Sequence, residues 1–221
     1  ILKNEEINNI KKILGLRNNQ EYKDSFKWDL RYGKVMIMTD QDLDGSHIKG
    51  LIINLFHSHW PSLLKMNFIC AMVTPIIKVT HKKTVLSFYS LVDYEKWKGS
   101  ADVQKYTIKY YKGLGTSTTK EAKEYFRNLK DTKYSWINET SDNVIDLVFN
   151  KKRADDRKDW LSVYNKEDSV DFTQKEITLD TFFHKDFKHF SVYDNERSIP
   201  SICDGLKPSQ RKILFSCEKR N

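Results

Sequence analysis

Residues 34–50 read KVMIMTDQDLDGSHIKG, and no other stretch narrows the possible folds as far. A short unbroken apolar run rich in Val and Ile, halted abruptly by polar residues, predicts a strand buried on both faces, as in a parallel sheet. After Gly45, residues Ile48, Leu51, Ile52, Leu55 and Phe56 trace an apolar stripe at helical spacing. Ser46 stands where an N-cap is expected, and Pro61 kinks or ends the helix. Strand, acidic turn and helix together form the unit of an open α/β sheet, and ligands bind such sheets beyond the carboxyl ends of their strands.

The flanking sequence extends this alternation. Ile7, Ile10, Ile13, Leu14 and Leu16 predict a helix over 5–16 that closes near Gly15, and NNQEYKDS reads as a loop. FICAMVTPIIKVT, TVLSFYSL and YTIKYY read as further strands. Thr118-Thr119-Lys120-Glu121 forms a capping box, and its helix carries Ala122, Tyr125, Phe126 and Leu129 on one face. Another helix is expected over 151–162. The polar, aperiodic stretch at 163–174 reads as a linker. Pro208 then opens a basic helix, PSQRKILFSCEKR. These elements divide the chain into an α/β domain at 1–162, a linker at 163–174 and a second domain beginning at 175–221.

With 221 residues the chain is long enough for one large or two small domains, and at 39% hydrophobic residues it can bury a core. It carries 38 Lys+Arg against 30 Asp+Glu, a net charge of +8. The excess is spread over Lys105 to Lys133, Lys151 to Lys158 and Lys207 to Arg220, which suits a long polyanionic backbone better than a small ligand. Cys70, Cys203 and Cys217 have no metal-binding or disulfide spacing, in keeping with a reducing compartment. No apolar run is long enough to span a membrane. The first residues, ILKNEEINNI, show neither an initiator Met nor a signal-peptide pattern, so the chain reads as part of a longer protein.

Asp40, Asp42 and Asp44 occupy alternate positions just after the first strand. Carboxylates this close repel one another unless a cation neutralises them; the competing reading is a turn capped by its own aspartates. Asp40-x-Asp42-x-Asp44-Gly45 also matches the first six positions of a calcium loop, but the twelfth, which should be a bidentate Glu, is Leu51, and the loop follows a strand instead of a helix. Magnesium, which uses few carboxylates plus phosphate oxygens and water, fits better. The residues therefore point to Mg²⁺-assisted chemistry on phosphates. Lys112-Gly113-Leu114-Gly115 joins a strand to a capped helix, as either a tight turn or a loop that lets backbone approach a phosphate. His57 and His59 lie two apart on a helix and share no face for a metal. Tyr110 and Tyr111 read as strand and core residues.

At this point a family resemblance becomes specific. MIMTDQDLDGSHIKGLIINLF resembles the D-x-D-x-D-G-S-H-I signature of the TOPRIM domain in type IIA DNA topoisomerases. KYYKGLGTSTTKEAKEYF (109–126), DDRKDWL (155–161) and DNERSIPSICDGLKPSQRK (194–212) are similar to three further hallmarks, in family order. The K-G-L-G-T-S-T form, with I-K-G after the histidine, looks eukaryotic. The resemblance implies a TOPRIM (Rossmann-like) α/β parallel-sheet domain followed by the start of a winged-helix domain. It implies that Asp40 and Asp42 hold Mg²⁺ and assist reversible cleavage of duplex DNA, with Asp44 a weaker or outer ligand. It makes His47, Lys109, Lys112, Gly113, Gly115, Lys207, Arg211 and Lys212 candidates for DNA contact.

The same resemblance implies an ATP-dependent, homodimeric, nuclear enzyme that passes one duplex through a tyrosine-linked double-strand break in another. ATP would bind a domain outside this chain. The family's upstream E-G-D-S motif is absent, its nucleophilic tyrosine lies beyond the DGLKP helix, and its longer basic insert is here only VYNKEDSVDFTQKE. The chain alone is therefore expected not to cleave DNA. Alternatives are a TOPRIM primase or nuclease, against which YKGLGTST and DGLKPSQRK both count, and a non-catalytic, metal-stabilised DNA-binding scaffold.

Overall fold

The computed structural model describes residues 3–23, 30–111, 113–172 and 174–220. Helix α1 (Glu5–Leu14) starts where the Asn4 side chain accepts the Ile7 N–H at 2.9 Å and stops at Gly15, whose φ of 78° is left-handed. The acidic motif lies between β1 (Val35–Ile37) and α2 (Leu43–His59). Pro61 sits at the first position of α3 (Pro61–Lys65), where a missing N–H is harmless. There follow β2 (Ile69–Met72), β3 (Ile77–His81), β4 (Thr84–Phe88), α4 (Leu91–Ser100), β5 (Thr107–Tyr110), α5 (Thr119–Arg127) and β6 (Asp131–Ser135). The chain continues with α6 (Asn138–Phe149), α7 (Ala154–Ser162), β7 (Glu176–Thr178), α8 (Leu179–Phe182), a π-helical turn at Phe183–Phe187, α9 (Lys188–Ser198) and α10 (Pro208–Glu218).

The main sheet runs β1-β2-β6-β7. β1 pairs parallel to β2, with Ile37 opposite Ala71, so β1, α2 and β2 form a βαβ unit that leaves the aspartates at the carboxyl end of β1. β2 pairs antiparallel to β6, and β6 parallel to β7, so the sheet is mixed, with parallel pairs at both of its sides. Strand β7 lies after the stretch read as a linker, yet it joins the same sheet. Val170, Ile177, Leu179, Phe182 and Phe183 belong to one core cluster with Ile37, Ile53, Phe56 and Ile69. Val170 and Phe172, from within the stretch read as a linker, thus join the same core. Burying side chains of this size stabilises the fold by about 1.5–3 kcal/mol each, which holds 175–198 to the domain before it.

Helix α2 is turned from its expected orientation. Ile48 and Leu51, placed on the apolar stripe, are each 45% exposed. The inward face is Ser46, Lys49, Gly50, Ile53 and Phe56. Two polar residues can face inward because Asp186 on the π-helical turn meets both: Ser46 Oγ donates to Asp186 Oδ2 at 2.9 Å, and Lys49 Nζ lies 3.9 Å from the same oxygen. Gly50 lets the turn come close, since a methyl there would overlap the Phe187 ring. The N-cap is Asp42, not Ser46, which lies one turn inside the helix.

A second, antiparallel sheet, β4-β3-β5, stands apart with its own small core of Ile77, Val79 and Tyr94, flanked by Phe88, Trp97 and Tyr106. Helix α5 packs on the other face, where Lys78 lies 4.8 Å from the Tyr125 ring centroid and 3.8 Å from Glu124. The expected apolar face of α5 is only partly covered: Phe126 and Leu129 remain exposed. No helix among the described residues is long and apolar enough to cross a membrane.

Candidate functional site

The three aspartates diverge into three roles. Asp40, half-buried, lies where the turn folds tightest: a Cβ on Gly45 would collide with the Asp40 carbonyl oxygen, so only glycine fits there. Gln41 anchors the turn to the sheet by donating from Nε2 to the Met72 carbonyl at 2.9 Å. Asp42 caps α2, its Oδ1 accepting the Gly45 N–H at 2.8 Å. Asp44 turns away to Arg197 on α9, whose Nη2 and Nη1 donate to Oδ1 and Oδ2 at 2.7 and 3.1 Å. Arg197 also donates from Nε to Asp194 at 3.0 Å. His47 stacks on Phe190 with ring centroids 4.0 Å apart. Burial lowers its pKa, opposed by the carboxylates of Asp194 and Asp44, so the ring serves as a packing surface beside the acidic turn.

The glycine motif meets this turn from the other side. A Cβ on Gly113 would lie 2.9 Å from Asp40 Oδ2 and 3.3 Å from Oδ1, so its backbone abuts the carboxylate. Gly115 has open space around it and carries no such constraint. Lys112 lies outside the described residues. Lys109, a candidate for phosphate contact, instead donates to Glu121 Oε2 at 2.7 Å. Glu121 completes the expected capping box with Thr118 and also accepts the Tyr111 hydroxyl. Burial raises the Glu121 carboxyl's pKa, but hydrogen bonds from Lys109, Tyr111 and Thr118 outweigh it and hold the group at about 2. Burial together with the bond to Glu121 raises the Tyr111 phenol, so this tyrosine stays neutral and serves as a strut. Tyr110, expected inside, is 53% exposed.

At the far end of the chain, Lys207 is the N-cap residue of α10 and its backbone N–H donates to Gln210 Oε1 at 2.8 Å. Arg211 forks onto Asp204 at 2.6 and 3.0 Å. Lys212 stays exposed on α10, as do Ile213, Leu214 and Phe215. His57, which the sequence assigns to no metal, is held by Asp142 Oδ1 at 2.8 Å.

Among the described residues no three His, Cys, Asp or Glu side chains converge on a metal position. The calcium loop is sterically absent too, because α2 is already helical from Leu43 and cannot wrap an ion. Two hard carboxylate donors, Asp40 and Asp42, stand at the sheet's ligand edge. That set fits a cation held by one or two carboxylates with water completing its shell. Two partners escape sequence reasoning. Arg197 lies within the DNERS segment but gives no spacing signal toward Asp44, and Glu121 reads as a cap alone. An arginine beside acidic neighbours at the end of a helix is the one hint the sequence offers for the first.

Comparison with known proteins comes from three directions. The family described as the C-terminal associated domain of TOPRIM matches residues 72–195, and a DNA gyrase/topoisomerase IV family matches 197–221. DNA topoisomerase 2-alpha of Homo sapiens is 50% identical over 238 residues, covering 100% of this chain and 16% of that protein. DNA topoisomerase 2 of Arabidopsis thaliana is 52% identical over 229 residues, covering 100% of this chain and 15% of that protein. Among solved structures, the topoisomerase II DNA-binding, cleavage and re-ligation domain of Plasmodium falciparum superposes with a TM-score of 0.88 at 48% identity, covering 100% of this chain and 30% of that one. The chain thus spans less than a fifth of the length of these curated relatives.

Proposed function

We propose, from the premise that the chain belongs to the TOPRIM-associated family in its eukaryotic DNA topoisomerase II form, that it is the acidic half of a DNA cleavage site in a type IIA topoisomerase. The parent enzyme would be an ATP-dependent nuclear homodimer that passes one duplex through a transient break in another. Membership in this family implies use of a divalent metal, and we assign Mg²⁺. The observation that carries the reading is the contact of Gly113 with the Asp40 carboxylate, which brings two motifs distant in sequence to one point.

Asp40 and Asp42 would hold the metal, which when bound supplies Lewis-acid stabilisation beside a phosphodiester. The chain's own residues do the rest. Asp42 fixes the start of α2, Gly113 limits where the Asp40 carboxylate can point, and Arg197 withdraws Asp44 from direct ligation. Lys207 and Lys212 are assigned to backbone phosphates of duplex DNA, with Arg211 held in reserve by Asp204. His47 and Lys109 are assigned to support of the DNA-facing surface, not direct contact, and Gly115, with open space around it, is given no part in it. We place the body of the TOPRIM unit at 1–198 and the start of the winged-helix region at 199–221; the continuity of the core through α9 and the meeting of the two family matches between 195 and 197 support this division.

The test is Asp40→Ala in the full-length parent. Cleavage of duplex DNA should be lost while most duplex binding is kept. Wild-type cleavage by that variant would overturn the assignment.

A further inference from the structure

We propose that Glu121 is a positioning residue for the acidic site: it clasps the two ends of the glycine loop and so sets Gly113 against the Asp40 carboxylate. The inference rests on the metal-holding role assigned to Asp40.

A helix cap alone does not account for what Glu121 touches. Capping needs only Thr118, whose N–H and Oγ1 donate to Glu121 Oε2 at 2.7 and 2.9 Å. Glu121 also receives the Tyr111 hydroxyl on Oε1 and Lys109 Nζ on Oε2, both from the β5 side of the loop. Tyr111 stands immediately before the glycine motif and Thr118 closes it, so a single carboxylate bridges both of its ends. The side chain is only 17% exposed, and Tyr111 is 8% exposed, so the bridge is shielded from competing water. Within the loop, Thr116 binds back to the Gly113 carbonyl through its N–H at 3.0 Å and its hydroxyl at 2.6 Å. Hydrogen bonds therefore link Glu121 to Thr118 and Thr116 to Gly113, whose backbone abuts the Asp40 carboxylate, with only Ser117 between the two threonines. Lys109 gains a purpose as well, because its charge fixes the clasp instead of meeting a phosphate.

The experiment uses the full-length parent, with amide hydrogen exchange and Mn²⁺ binding by electron paramagnetic resonance. In Glu121→Gln, amides at 113–118 should exchange about tenfold faster while those of β1 and β2 keep their rates. Mn²⁺ affinity should fall about tenfold, the usual effect of losing an outer support for a ligand. Tyr111→Phe, which leaves the buried ring in place, should change both readouts in the same direction by less, and it carries the test if Glu121→Gln fails to fold. Unchanged exchange at 113–118 in a folded variant overturns the clasp, as does a loss of protection spread equally over β1 and β2. If the unsubstituted parent takes up no Mn²⁺, the metal reading of Asp40 falls, and the clasp is then decided by the exchange rates alone.

Discussion

Arg197 on α9 grips both carboxylate oxygens of Asp44 on α2, at 2.7 and 3.1 Å, across a sequence separation of 153 residues. A planar guanidinium matches a carboxylate in this way and an ammonium does not. The acidic turn thus carries a built-in counter-charge, delivered by the part of the chain that sequence alone assigns to another domain. Neutralising Asp44 also lowers the field that a cation at Asp40 and Asp42 would feel.

Removing that counter-charge should therefore strengthen cation binding. Arg197→Gln is expected to tighten Mn²⁺ binding by roughly two- to fivefold at low ionic strength, with the gain shrinking in about 1 M salt because the pair is partly exposed. Titration of the two proteins at both salt concentrations measures it. Weaker binding in the variant would mean that the fork organises the site and does not restrain it.

Gly113 and Gly115 should behave oppositely. A methyl at Gly113 meets the end of a carboxylate side chain at 2.9 Å, whereas a methyl at Gly115 meets nothing within 4 Å. Gly113→Ala is expected to displace Asp40, cutting cleavage by the parent enzyme about tenfold or more with a shift in Tm of only a few degrees. Gly115→Ala should leave both close to normal. Cleavage rates and thermal unfolding of the two variants side by side decide the matter.

The succession of β1 and α2, the left-handed close of α1, the Thr118 capping box and the proline opening α10 are legible in sequence, because each depends on neighbours a few residues away, although the cap of α2 falls at Asp42 and not at the expected Ser46. What is not legible depends on distant partners. Helix α2 turns Ser46 and Lys49 inward only because Asp186, 140 residues beyond Ser46, receives them, and no periodicity in α2 records that. DTKYS and EIT are too short and too polar to announce β6 and β7, yet their pairing carries the sheet across the supposed linker. The aspartates stand out by their spacing, but their separate duties as wall, cap and ion-pair partner are set by Gly113, Gly45 and Arg197.

Glu121 should give the fold a distinct acid sensitivity. Its folded-state pKa of about 2 lies below the ordinary value of 4.5. Its contribution is therefore complete above the ordinary value and is lost as pH falls through about 2. Compared with Glu121→Gln, the unsubstituted chain should be more stable by about 2 kcal/mol at pH 6, and the difference should close by about pH 2. Urea unfolding of both proteins across that range tests this; a constant difference would sever the link to ionisation.

Salt dependence should separate the basic residues of the C-terminal helix. If Lys207 and Lys212 each meet a phosphate, neutralising either one should flatten the log–log dependence of duplex affinity on salt by about one unit. Arg211→Gln should flatten it by less, because Asp204 already neutralises that guanidinium. Binding isotherms over a range of salt for the three variants would show whether the ordering holds.

The Arg197–Asp44 fork also has a temporal side. On a ribosome the acidic turn emerges before its arginine, which follows 153 residues later, a delay on the order of 10–30 s at ordinary rates of synthesis. Through that interval the turn lacks its counter-charge, and for most of it strand β7 and the aromatic turn that follows are missing as well. The acidic turn therefore precedes its clamp, and a chain interrupted before α9 would carry Asp40, Asp42 and Asp44 yet lack the arginine that holds Asp44.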